Sequence, residues 1–321
     1  MSKRRVSKQQ SSRIKEKQLS FQKSIAEEKE TLNGVVITRF GSHALIEDEA
    51  LQRHHCSIRP SLDSLVAGDR VVWLPEGSEQ GVVVSRYPRT SVLGRHDKRG
   101  LIKPVAANIT QVMIVVAPKP ELSWPLLDSY LVMTEYLGLQ ACIVLNKIDL
   151  PCPELKTRLQ NQYHTLGYPL LFTSEYLANH QPDLAHQLNH HVSVFVGQSG
   201  VGKSSLITSV LPFESHIQTG HISELSNLGR HTTSNSTLYH LPNGGAIIDS
   251  PGVREFGLWH MSRAEIASGY REFRPHLSQC KFRDCDHDKT PGCAIKEAVK
   301  EGKISQDRLN NYVKISTQFS K

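Results

Sequence analysis

The chain is 321 residues long, 38% hydrophobic and 21% charged, with a formal net charge of +7 at pH 7. At about 150 residues per domain this allows two or three globular domains and at least one sizeable core. Its longest apolar runs, Val112–Ala117 and Ala141–Leu145, fall far short of the roughly 20 residues of a membrane span, which excludes an integral membrane protein. The basic N-terminus contains no apolar stretch, so no secretory leader is expected.

The charge excess is confined to one arm. Residues 1–23 carry eight basic side chains (Lys3, Arg4, Arg5, Lys8, Arg13, Lys15, Lys17 and Lys23) against Glu16, and the rest of the chain is balanced at thirty of each sign. Residues 1–32 lack sustained apolar periodicity; a solvated, disordered tail and a polyanion-binding arm both account for them. From Gly34 the texture changes to five short β-rich runs, at 34–39, 44–47, 51–59, 70–74 and 81–87, punctuated by Gly41, Pro60, Gly68 and the Pro75–Gly77 turn. Five short strands in about 55 residues predict a small β-barrel, of OB-fold or SH3-like type. Residues 86–103 are locally basic (Arg86, Arg89, Arg95, Lys98, Arg99, Lys103 against Asp97) and read as a linker or as part of a nucleic-acid surface.

From residue 105 strands and helices alternate. Val112–Ala117, Ala141–Leu145, Leu170–Phe172 and Val192–Val196 are apolar strands, and 125–138 and 154–166 carry apolar groups at helical spacing. Ser236–Leu241 and Ala246–Ile248 flank Asn243–Gly244, a hairpin signal. The pattern predicts an α/β domain with a mostly parallel sheet. Beyond about 263 the chain is polar and helical.

The motifs name a chemistry. Gly197, Gln198, Ser199, Gly200, Val201, Gly202, Lys203 and Ser204 match G-x-x-x-x-G-K-[ST] between a strand and a helix. Glycines let backbone N–H groups wrap a polyphosphate, Lys203 sets a cation on the β- and γ-phosphates, and the Ser204 hydroxyl suits Mg²⁺. Asn146, Lys147 and Asp149 form N-K-x-D after a buried strand, where ligands bind in open α/β sheets. The Asp149 carboxylate can take two hydrogen bonds from the guanine N1–H and amine, a donor pair adenine lacks. Asn146 can reach the N7 edge, and the Lys147 stem can cover the ring. Asp249-Ser250-Pro251-Gly252 fits D-x-x-G, with Asp249 toward Mg²⁺ and the Gly252 N–H toward the γ-phosphate; Thr232 or Thr233 supplies a switch hydroxyl for Mg²⁺. N-K-x-D precedes the phosphate loop, the reverse of the usual GTPase order, so the domain is expected to be circularly permuted.

Six cysteines are present, three of them within 14 residues, too sparse for a disulfide scaffold and pointing to a reducing compartment. Cys280, Cys285, His287 and Cys293 make a complete tetrahedral Zn²⁺ shell of the closed, structural kind. Lys281, Arg283, Lys289 and Lys296 surround it, toward phosphate or solvent.

Permuted N-K-x-D, the loop running through Ser205, Gly229-Arg230-His231-Thr232-Thr233, D-S-P-G and a C-terminal Cys3His knuckle behind a β-barrel together resemble the RsgA family, the ribosome small subunit-dependent GTPases, over roughly residues 34–320. The resemblance implies an α/β circularly permuted P-loop GTPase domain with an N-terminal OB-fold and a C-terminal helical zinc-binding domain. The expected division is a basic arm at 1–32, a barrel at 33–103, a GTPase domain at 104–262 and a zinc domain at 263–321. It implies a monomeric cytoplasmic factor in late maturation of the small ribosomal subunit. Such a factor binds the subunit's rRNA and no membrane, uses GTP/GDP with Mg²⁺ and one Zn²⁺, and hydrolyses GTP when stimulated by that subunit. Val253, after D-x-x-G, cannot orient water, and the resemblance implies that His231 approaches the γ-phosphate instead. Where a GTPase usually has an S-A element toward guanine O6, this chain has Ser174 and Glu175. Two other readings use the same motifs: an RNA-binding adaptor that holds GTP without useful turnover, and a GTPase of metal or metabolite handling.

Overall fold

The computed structural model describes residues 31–62, 64–96, 102–176, 181–211, 236–250 and 261–319. The first five strands are β1 (Leu32–Phe40), β2 (His43–Glu47), β3 (Arg53–Ile58), β4 (Arg70–Pro75) and β5 (Gln80–Arg86). Alternation sends Val71 and Trp73 of β4 inward with Val36, Ile46, Cys56 and Val83. The strands pair in the order β1-β2-β3-β5-β4, and β4 returns to β1 to close the barrel. β3 and β5 run parallel, which an all-antiparallel SH3-like barrel lacks. The barrel is therefore OB-like.

The basic stretch read as a linker or RNA surface forms a two-stranded ribbon, β6 (Val92–His96) with β7 (Ile102–Ala107). Leu93, Val105 and Ala106 turn inward from it and join the main core. β8 (Gln111–Val116), α1 (Trp124–Tyr136), β9 (Gln140–Leu145), α2 (Pro153–Gln162), β10 (Leu170–Phe172), α3 (Gln181–Leu188), β11 (Val192–Val196) and α4 (Lys203–Val210) then alternate. The hairpin β12 (Thr237–His240) and β13 (Ala246–Asp249) follows. β10-β9-β8-β11-β13 is parallel, and β12 runs antiparallel to β13. Every residue of β8 is buried, as a central strand covered on both faces requires.

β12 does not end the sheet. It pairs with β1 at Thr38↔Thr237, so barrel and α/β domain share one 11-stranded sheet. Ile37, Leu45 and Ala67 of the barrel pack in one core with Leu238 and Ile248. Across the junction Glu47 Oε1 meets His240 Nε2 at 2.5 Å, and Ser236 Oγ donates to Val105 O of the ribbon strand β7 at 2.6 Å, on the α/β side.

The C-terminal unit comprises α5 (Arg263–Ser268), α6 (Ala294–Lys300) and α7 (Gln306–Phe319) with a 3-10 turn at Arg274–Gln279. Ser262 and Glu265 cap α5 reciprocally. The unit rests on α1 through Ile266, Tyr270, Tyr312 and Ile315 packed with Val132. At its centre the carboxylate of Asp128 on α1, wholly buried, takes hydrogen bonds from Arg308, Asn311 and Tyr163. Arg308 also donates to Glu272 at 2.6 Å.

Candidate nucleotide site and metal centre

β11 ends at Val196 and the chain wraps into α4 at Lys203. Two glycines make the turn possible. Gly197 has φ +140, and a Cβ there would lie 2.1 Å from the Val115 carbonyl of β8. Gly202 has φ +95, and a Cβ would lie 2.3 Å from Asn146 Nδ2. Lys203 Nζ donates to Gly197 O at 2.8 Å and Gln198 O at 2.7 Å, which holds the ammonium across the loop. The Gln198 side chain braces the loop from outside: its Nε2 donates to Glu121 O and its Oε1 accepts the Ser123 N–H. The Tyr130 hydroxyl on α1 meets the Gly197 backbone.

The N-K-x-D stretch leaves β9 beside this loop. Asn146, expected to reach the base's N7 edge, is 4% exposed; its Nδ2 donates to Val201 O at 3.0 Å and its Oδ1 accepts from Thr173 Oγ1 at 3.0 Å. In this structure its amide holds the phosphate loop, N-K-x-D and the end of β10 together. Lys147 reaches back over the loop, with Nζ donating to Gly200 O at 2.6 Å and Lys119 O at 3.1 Å. Ser174 Oγ donates to Asp149 Oδ1 at 2.5 Å, which fixes the carboxylate's direction. The same Oγ accepts the Tyr176 N–H.

One cleft of about 500 Å³ is lined by Asn146, Lys147, Asp149 and Glu175 at one end and by Ser199, Gly200, Gly202, Lys203, Ser204 and Ser205 at the other; Leu150 and Tyr176 complete it. The motifs, separated in sequence, thus share a single space. Gly197, Gln198, Val201 and Ser174 do not line it. Asp249 ends β13 opposite Thr237, and β13 runs parallel to β11, the strand that leads into the phosphate loop. His231, Thr232, Thr233, Gly252 and Val253 lie outside the described residues.

Cys280, Cys285, His287 and Cys293 converge, with ligand atoms all within 4.8 Å of one another. His287 Nδ1 stands 3.6 Å from Cys280 Sγ and 3.5 Å from Cys293 Sγ. A tetrahedron with Zn–S of about 2.3 Å and Zn–N of about 2.05 Å has edges of about 3.6 Å, so the donor set fits Zn²⁺. Burial pushes the Cys293 thiol up to about 12, and Cys285 and Cys280 beside it act in the same direction. Burial pulls His287 down, which keeps the ring neutral and able to ligate. A divalent cation is what would let such thiols ionise. Asp286 organises the loop: its Oδ1 accepts the N–H groups of Asp288, Lys289 and Thr290 and the Thr290 hydroxyl.

The profile of the family described as RsgA GTPase matches residues 86–259. A "Small ribosomal subunit biogenesis GTPase RsgA" of Vibrio cholerae is 49% identical over 292 residues, covering 88% of this chain and 75% of that protein. The chain belongs to the RsgA GTPase family. An RsgA 1 of Vibrio vulnificus of the same description is 48% identical over 321 residues, covering 97% of this chain and 91% of the relative. The crystal structure of YjeQ from Thermotoga maritima superposes with a TM-score of 0.75 at 30% identity, covering 90% of this chain and 99% of that one. YloQ, described as a circularly permuted GTPase, superposes at 0.71 with 27% identity, covering 90% and 95%. The permuted order of motifs in this RsgA GTPase agrees with the fold of those neighbours. Sequence reasoning left Tyr130 and Tyr176 out of the site. Nothing marked Tyr130, whereas Tyr176, an aromatic two residues after Ser174, was a readable signal.

Proposed function

We propose that this chain is a GTP hydrolase of small ribosomal subunit biogenesis, converting GTP to GDP and phosphate under stimulation by that subunit. One observation carries the reading: N-K-x-D and the phosphate loop, in permuted order, line the same cleft in a chain of the RsgA family. In this reading Asp149, fixed by Ser174, takes the guanine N1–H and amine, and Lys147 covers the ring, with the Glu175 backbone near O6. Backbone N–H groups from Gly197 to Ser205 and the start of α4 cradle the phosphates, and Lys203 leaves its carbonyl partners for the β- and γ-oxygens. The hard oxygens of Ser204 and Asp249 suit Mg²⁺, with Thr232 or Thr233 joining them and the Gly252 N–H facing the γ-phosphate. Bound Mg²⁺ supplies charge neutralisation on the phosphates. His231 orients the attacking water in place of Val253. Zn²⁺ on Cys280, Cys285, His287 and Cys293 is structural.

The OB-like barrel and the basic arm supply rRNA contact with strong salt dependence. The chain divides into the arm at 1–32, the barrel at 33–103, the GTPase domain at 104–262 and the zinc domain at 263–321. It works as a monomer in the cytoplasm, where ribosomes are assembled; among the described residues no helix is long and apolar enough to cross a membrane.

The test is GTP turnover by the purified chain alone, with small subunits, and with large subunits as control. Strong stimulation by small subunits only is expected. Turnover indifferent to subunits would move the function to metal or metabolite handling. No turnover, with GTP-dependent subunit binding, would make the protein an adaptor.

A further inference from the structure

A purine held by Asp149 has one face against the aliphatic stem of Lys147, whose ammonium is fixed on Gly200 O and Lys119 O. Its other face requires an apolar surface. Most of the cleft wall is polar or glycine, and the one aromatic lining it among the described residues is Tyr176. That side chain is 81% exposed, more than any other large apolar side chain among the described residues. An aromatic left this bare at the rim of a cleft gains by being covered.

Its backbone is anchored. The Tyr176 N–H donates to Ser174 Oγ at 3.2 Å, and that oxygen lies 2.5 Å from Asp149 Oδ1. Two hydrogen bonds therefore separate the residue from the carboxylate that faces the guanine edge. We propose that Tyr176 is a base-stacking residue: its ring closes over the guanine face opposite Lys147 and adds affinity through the base and not through the phosphates. The inference rests on the GTP reading above and adds a residue that its motifs do not contain.

Stacking of a base on an aromatic ring is worth about tenfold in affinity. The experiment is calorimetric titration of the full chain with GDP and, separately, with inorganic tripolyphosphate, which has no base. Tyr176→Ala is expected to weaken GDP about tenfold and to leave tripolyphosphate unchanged, with Tyr176→Phe restoring GDP affinity. Tyr176→Trp provides a second readout: its added emission should change with GDP and stay constant with tripolyphosphate. Unchanged GDP affinity in Tyr176→Ala, equal losses for both ligands, or a tryptophan blind to GDP would overturn the proposal. If the unsubstituted chain binds tripolyphosphate but shows no preference for GDP over ADP, it is the GTP reading that fails.

Discussion

Asn146 sits at the end of β9 with its amide hydrogen-bonded on one side to the Val201 carbonyl and on the other to the Thr173 hydroxyl. Both partners are buried, so truncation strands a carbonyl and a hydroxyl away from water. Leaving buried groups unpaired costs about 1–3 kcal/mol. Asn146→Ala should therefore lower the unfolding free energy of the nucleotide-free chain by about that amount, read by urea denaturation. A residue that only read the base would leave the empty protein's stability untouched. The sequence announced Asn146 by its motif and could not announce this second task, because Val201 and Thr173 lie 55 and 27 residues away and neither position signals a bond to Asn146. Asp149 divides the same way. Its motif and the strand before it were readable because both belong to one short local segment, whereas its hydrogen bond from Ser174, 25 residues away, was not.

Arg308 and Asp128 join α7 to α1 by an ion pair with both side chains almost wholly buried. Burial alone would raise the Asp128 carboxyl, and the facing guanidinium opposes that rise. Removing one partner leaves the other charge buried and unpaired, at about 3–5 kcal/mol. Arg308→Ala should cost that much in chemical denaturation. The double variant Asp128→Asn, Arg308→Met should recover a large part of the loss; if instead the two losses simply add, the pair is not coupled. Strongly periodic elements were legible. β8, β9 and β11 read as apolar runs, and α1 and α2 showed helical spacing. The β6–β7 ribbon was not, because Gly94, Arg95 and Pro104 break the alternation, while Val105, Ala106 and Ala107 are all buried in a row. α3 escaped as well. Over its eight residues only Leu184 and Leu188 give a one-turn stripe, too short to separate from a loop.

At the scale of the molecule, the Cys3His cluster is wired into more than its own loop. Cys293 is the N-cap residue just before α6, Tyr312 of α7 packs beside the His287 ring, and the same core includes Val132 of α1. With Zn²⁺ bound there as proposed above, its chelation should therefore lower the melting temperature of the whole chain, with α6 and α7 loosening against the GTPase domain. A melt in which the GTPase transition is unmoved and only a small early step appears would contradict this. The other end of the molecule is joined with equal intimacy. β13, β12 and β1 are successive strands, each about 4.8 Å from the next, so the barrel begins about 10 Å from the strand that ends in Asp249. Without the barrel β12 would be an open edge, four residues of unpaired backbone beside Leu238 and Ile248 stripped of Ile37, Leu45 and Ala67. Such an edge is a template for another copy. A GTPase domain cut free at residue 104 would thus be self-adhesive, and the barrel is what covers that edge.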